Sequence, residues 1–222
     1  MNPSSGGFDF AAEGGVGRPF VLLYERASDG DFARHVYEQL SPKTRTILVR
    51  SPAITDDNWS GLTQELLEAL RARGLRQASF VAFGAACSLV QNVCLSEAKL
   101  VRTAVFVDGA SRAHPSLLSR FLDKIERALP LGLPLRLAHR GFDSRSFLQR
   151  IRCPALVVAS HHASAAARAD ASEMAARMPT AWGLELGAEG AAKELGELVL
   201  AFSDVPARCP QKNSGGAAAG AR

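Results

Sequence analysis

Ala78-Ser79-Phe80-Val81-Ala82-Phe83-Gly84-Ala85-Ala86-Cys87 is an apolar run that meets a glycine and then continues, still apolar, to about Leu95. Its first six residues read as a strand buried on both faces, because it is short, holds aromatic and branched side chains, and shows no alternation. Gly84 permits a sharp change of direction directly after the strand, and the residues beyond it read as a helix. A strand running through a glycine into a helix is half of a βαβ unit, and the rest of the chain repeats that rhythm.

Upstream, Trp59 to Arg73 reads as a helix with Leu62, Leu66, Leu67 and Leu70 on one face and Gly74 as its stop. Thr44 to Val49 is a strand, and before it Phe32, Val36 and Leu40 mark a helix from about Asp31 to Leu40. Pro19 to Tyr24 is another buried strand, and Phe8-Asp9-Phe10 is expected to add a short antiparallel one. Downstream, Thr103 to Val107, Ala155 to Ala159 and Trp182 to Leu186 read as strands, with helices over Ala165 to Met178 and Lys193 to Phe202. The expected class is α/β: a mainly parallel sheet of about six strands with helices on both faces. Residues 18–205 form the domain, 1–17 a flexible N-terminal segment, and 206–222 a disordered tail rich in glycine and alanine. Residues 111–152, with Pro130 and Pro134, interrupt the rhythm and are expected to form a small lid.

The 222 residues suffice for one domain with a full core. A net charge of +4 is a small excess, with arginines scattered among acids, so nucleic acid is not the expected partner. No apolar run reaches the length of a membrane span, and Met1 to Gly17 lacks the basic-then-apolar order of a signal peptide. The cysteines Cys87, Cys94, Cys153 and Cys209 make no Cys-x-x-Cys pair, and no zinc-ligand spacing occurs. Cys87 and Cys94 lie too far apart along a helix for a disulfide. Reduced structural thiols, a cytoplasmic location, no metal and no cofactor are the expectations.

Four stretches in order carry a resemblance. Gly14 to Leu23, Val81 to Cys87, Leu100 to Asp108 and Ile151 to Val158 resemble the strand regions of the α/β-hydrolase family, over about residues 8–203. In that family a serine in a G-x-S-x-G elbow sits on the strand-to-helix turn. Here the slot falls on Gly84 or Ala85, which offer no nucleophile. The family's acid would follow Ala155–Ala159, where Ser160-His161-His162-Ala163-Ser164 has no carboxylate. Its base histidine would lie in Leu186 to Ala191, and no histidine follows His162. Its His-Gly oxyanion motif is replaced by Tyr24-Glu25, and a glutamate opposes rather than stabilises an oxyanion.

The resemblance therefore implies a hydrolase fold without hydrolase machinery, and no catalytic residue is assigned. Cys87 and Ser88 fall inside the helix, away from the elbow. Asp108, at a strand end, is read as capping its turn with Gly109. His161 and His162 are adjacent, so their side chains are expected to point apart and not to share a metal. Tyr24, Glu25, Phe83, Gly84, Ala85 and Asp108 would converge at the carboxyl edge of the sheet. An apolar floor with two carboxylates at its rim suits a ligand with an apolar body and a polar or cationic head; a protein partner is the other expectation. The alternative is a weak esterase or thioesterase using Cys87 or Ser88 with His161 or His162. A third reading is a subunit stabilised only by its partner.

Overall fold

In the computed structural model, which describes residues 7–55, 58–109 and 144–204, seven strands form one sheet. In chain order these are β1 (Asp9–Gly14), β2 (Pro19–Tyr24), α1 (Ala27–Leu40), β3 (Arg45–Arg50), α2 (Trp59–Ala72), β4 (Ala78–Phe83), α3 (Ala86–Ser96) and β5 (Val101–Val107). They continue with the short α4 (Arg145–Leu148), β6 (Ala155–Ala159), α5 (Ala165–Arg177), β7 (Ala181–Glu185) and α6 (Ala191–Ser203). The sheet order is β1-β3-β2-β4-β5-β6-β7. Only β1 runs antiparallel, against β3, and the other five pairings are parallel.

The chain leaves β2 toward β3 on one side, then returns past β2 to β4 on the other. The carboxyl ends of β2 and β4 are neighbours, yet the connections after them lead to opposite sides. Such a switch point leaves a crevice at that edge of a parallel sheet.

Alternating strand residues separate two cores. Val21, Leu23, Phe80, Ala82 and Phe106 join the apolar faces of α2 and α3 and Met174 of α5. Phe20, Leu22, Val81, Phe83, Val105 and Val107 face the other way, onto Val36 and Leu40 of α1 and Leu195 and Val199 of α6. Central strands buried on both faces need apolar residues at nearly every position; β4 is buried throughout, and its one hydroxyl, Ser79 Oγ, accepts from Thr103 Oγ1 at 2.9 Å. The edge strand β7 is half exposed, with Trp182 at 52%.

Two boundaries differ from the periodicity. Helix α1 starts at Ala27 rather than near Asp31, because its first turn, Ala27-Ser28-Asp29-Gly30, carries no large apolar residue to reveal it. Strand β1 is longer than Phe8 to Phe10 and has a register shift between Phe10 and Ala12. The expected N-terminal segment thus contributes a strand to the sheet. The greater part of the expected lid, residues 111–143, and the expected tail, 206–222, lie outside the described residues; of the lid, 144–152 hold α4. Among the described residues no helix is long and apolar enough to cross a membrane.

Candidate binding site at the carboxyl edge of the sheet

Gly84 is the point from which the site is built. Its N–H donates to Val107 O at 2.9 Å, which carries the β4–β5 pairing to the very end of β4. Its φ is +55°, a left-handed conformation that a side chain resists. The turn therefore has the strained geometry expected where a strand passes sharply into a helix, with Ala85 as N-cap of α3. Position 84 is the elbow, and position 85 is already the lip of the helix.

The space in front of Gly84 belongs to another carboxylate. A Cβ at position 84 would sit 2.7 Å from Asp29 Oδ2. Asp29 lies in the first turn of α1, and only Glu25 and Arg26 separate that helix from β2. So short a connection drops the turn directly over the elbow. Burial holds the Asp29 carboxyl above the ordinary aspartate range; Arg26 and a hydrogen bond from Ser28 pull it back, and the negative charges of Asp108 and Glu25 push it up again.

A cleft of about 890 Å³ opens around this point. One wall is α1, with Asp29, Asp31, Phe32 and His35, and the opposite wall is the start of α6, Gly190 to Lys193. Phe83 and Gly84 form its floor, and Val107, Asp108 and Ser160 to His162 close the end. Phe32 meets Phe83 edge-on, with ring centroids 5.8 Å apart.

Asp108 has φ +49°, the one non-glycine residue with positive φ among those described. Its Oδ1 accepts the Ser160 N–H at 2.7 Å, across to the end of β6. This corrects the expected cap onto its own turn: the carboxylate ties two strand ends together. The histidines also depart from expectation. The His161 and His162 rings lie 3.6 Å apart, tilted by 43°, and both line the cleft. A reversal right after β6 brings the adjacent side chains to one side. His161 Nδ1 is buried with no hydrogen-bond partner, while Arg168 donates to the His161 carbonyl at 3.1 Å.

Phe83, Gly84 and Asp108 are thus brought together, and Tyr24, Glu25 and Ala85 lie outside the lining. Tyr24 is buried, its ring packed over Gly30. Glu25 accepts the Ile54 N–H at 3.0 Å and holds the loop after β3. The acidic character foreseen at the rim is present, supplied by Asp29 and Asp31 in place of Glu25. The polar run Ser28-Asp29-Gly30-Asp31 is the signal that could have found them, had the helix start been read correctly.

Cys87 is fully buried, its Sγ donating to Ala82 O at 3.3 Å and lying 3.7 Å from Val107 O. Burial pushes its thiol far above the ordinary range, so it stays protonated. Ser88 Oγ donates to Ala85 O at 2.8 Å. Among the described residues no hydroxyl or thiol is hydrogen-bonded to an imidazole. Nor is any group of three His, Cys, Asp or Glu placed there to hold a metal ion.

No family model matches the chain, and no curated protein matches it. Solved structures do. An alpha/beta hydrolase from Sphaerobacter thermophilus DSM 20745 is 16% identical with a TM-score of 0.64, covering 90% of this chain and 98% of that one. The enol-lactonase from Burkholderia xenovorans LB400 is 16% identical with a TM-score of 0.66, over 88% and 95%. A meta-cleavage product hydrolase from Pseudomonas fluorescens IP01 is 13% identical with a TM-score of 0.66, over 88% and 93%. At such identities the likeness is one of fold: the chain has the α/β-hydrolase fold, over nearly the full length of these neighbours.

Proposed function

We propose that this α/β-hydrolase fold serves binding rather than hydrolysis, and that its cleft takes a small molecule with an apolar body and a cationic head. The observation that carries the reading is at Gly84. The elbow has no side chain, and the Asp29 carboxylate occupies the space a nucleophile would need. A carboxylate there opposes the build-up of negative charge on an attacked carbonyl, whereas acyl transfer needs donors at that point. The same carboxylate, half-buried beside Asp108 and above Phe83, attracts a cation and is stabilised by one. Phe32, Phe83 and Val107 offer apolar surface for the remainder of the ligand.

The test is thermal-shift titration of the full chain with alkylammonium ions of increasing chain length, against alkyl carboxylates of matching length. The ammonium series should raise the melting point, increasingly with chain length, and the carboxylates should not. Asp29→Asn should remove most of that shift. Binding should weaken as the pH falls through the raised pKa of Asp29, because protonation removes the attracting charge. Equal shifts from the carboxylates would overturn the cationic assignment. No shift with any compound, together with recovery of one stoichiometric protein partner, would replace the pocket by a protein-binding face.

The alternative, a weak esterase or thioesterase, is disfavoured by the positions of Cys87 and Ser88. Neither lines the cleft, and each is hydrogen-bonded to backbone carbonyls.

A further inference from the structure

Away from the cleft, a pair of sulfurs has no part in the proposed binding. Cys94 sits in the last turns of α3, and Cys153 precedes Pro154 at the start of β6. The two are 59 positions apart in sequence, yet their Sγ atoms are 3.8 Å apart and share a hydrogen bond. Cys94 is buried, Cys153 is half-buried, and both are free thiols.

Both backbones are anchored. Cys94 lies within the helical ladder of α3, whose end is closed by Glu97 N donating to Val93 O at 2.8 Å. On the other side Thr180 Oγ1 donates to Cys153 O at 2.8 Å, and Ala104 N donates to Pro154 O at 3.0 Å. The sulfurs are therefore held in contact by tertiary structure, and a bond requires them to close from 3.8 Å to about 2.05 Å.

The two thiols are not equivalent. The contact with Cys94 holds the Cys153 thiol below its ordinary value, and the contact with Cys153, then burial, pushes Cys94 well above. A more acidic, more exposed thiol beside a protonated, buried one is the division of labour that disulfide exchange uses: one attacks and the other resolves.

We propose that Cys94 and Cys153 form an oxidisable dithiol, closed to an intramolecular disulfide by a small-molecule disulfide such as oxidised glutathione. The Cys153 thiolate attacks one sulfur of the reagent, forming a mixed disulfide and releasing one thiolate. Cys94 then gives up its proton and attacks the Cys153 sulfur, expelling the second. The dithiol loses two electrons and two protons, and the reagent becomes two thiols. The bond ties the far end of α3 to the start of β6, at the sheet edge opposite the cleft.

The experiment uses the full chain, reduced and then exposed to oxidised glutathione, with the remaining thiols alkylated before peptide mass spectrometry. A Cys94–Cys153 linked peptide is expected, with the buried Cys87 alkylated only after unfolding and Cys209 left unlinked. Closing so long a loop should raise the melting point by roughly 5–10 °C, reversibly with dithiothreitol. Neither effect should appear in Cys94→Ala or Cys153→Ser, and the melting point of Cys153→Ser should match that of the reduced wild type to within about 2 °C. A Cys153 that stops at the glutathione adduct, a link to Cys209 instead, or no reaction at all would each overturn the proposal.

Discussion

At Gly84 two effects act against a side chain, and they are of different size. A left-handed φ of +55° costs a non-glycine residue about 1–2 kcal/mol. The 2.7 Å approach to Asp29 Oδ2 is cheaper to relieve, because that oxygen ends a flexible side chain. Backbone strain should therefore dominate. Gly84→Ala is expected to lower stability by about 1–2 kcal/mol in denaturant unfolding, and Gly84→Val by more. Adding Asp29→Ala to Gly84→Ala should recover only a minor part, about 0.5 kcal/mol. Recovery of the entire loss would show that the carboxylate, not φ, makes the position glycine-only.

Asp29 has its own pH signature. Its folded-state pKa is raised from the ordinary 3.8. The protonated form is favoured by folding, so this contribution is complete below about pH 3.8 and is lost as the pH rises through the folded value. At pH 7 the charged carboxylate is held in a place that disfavours it. Asp29→Asn should thus raise the melting point relative to wild type at pH 7, and the gain should shrink toward pH 4. A gain that grew on acidification would contradict the burial argument.

Among the elements, the ends of β5 and β6 are held by a side chain instead of the ladder alone. Asp108 adopts φ +49° and accepts the Ser160 N–H. Asparagine tolerates the left-handed region and keeps an acceptor oxygen, so Asp108→Asn should cost under about 0.5 kcal/mol. Asp108→Ala keeps the strain and orphans the Ser160 N–H, at a cost of about 2–3 kcal/mol. Equal unfolding free energies for the two variants would show that the bond carries no weight.

Helices α1 and α6, the opposite walls of the cleft, meet at Gly196, where a Cβ would lie 2.9 Å from Gln39 Cβ. Gly196→Val must spread them, with an expected loss of about 1–3 kcal/mol. Ligand shifts measured as for the wild type should fall at the same time, since Phe32 and His35 move with α1.

For the whole molecule, the absence of a nucleophile at the elbow is joined by the distribution of the remaining groups. On the proposed binding reading, no single substitution is expected to produce a hydrolase from them. Gly84→Ser would place a hydroxyl against the Asp29 carboxylate, whose negative charge opposes a developing oxyanion. A fluorophosphonate probe is expected to leave the wild type and Gly84→Ser unlabelled, because nucleophile, base and oxyanion donors act as a unit. Stoichiometric labelling of the wild type would refute the binding reading.

The sequence by itself determined the strands, their parallel class and the elbow. Buried parallel strands need continuous apolar residues, and the left-handed turn at the end of β4 needs a glycine, so Ala78 to Gly84 can be read directly. It also shows Gly84 or Ala85 where the resemblance expects a nucleophile, no carboxylate in Ser160 to Ser164, and no histidine in Leu186 to Ala191. The tertiary structure decided what fills the elbow. Asp29 is 55 positions from Gly84 and lies in a helical turn with no apolar periodicity, so only the crossover at the switch point between β2 and β4 brings them together. The same holds for Glu25, taken from the rim by the Ile54 N–H, and for His161 and His162, turned to one side by the bend after β6. It holds again for Cys94 and Cys153, whose sulfurs meet between α3 and the start of β6. Local pattern records which residues are buried and how the backbone turns. Which side chains face one another depends on strand order and crossover, information carried by no short stretch of the chain.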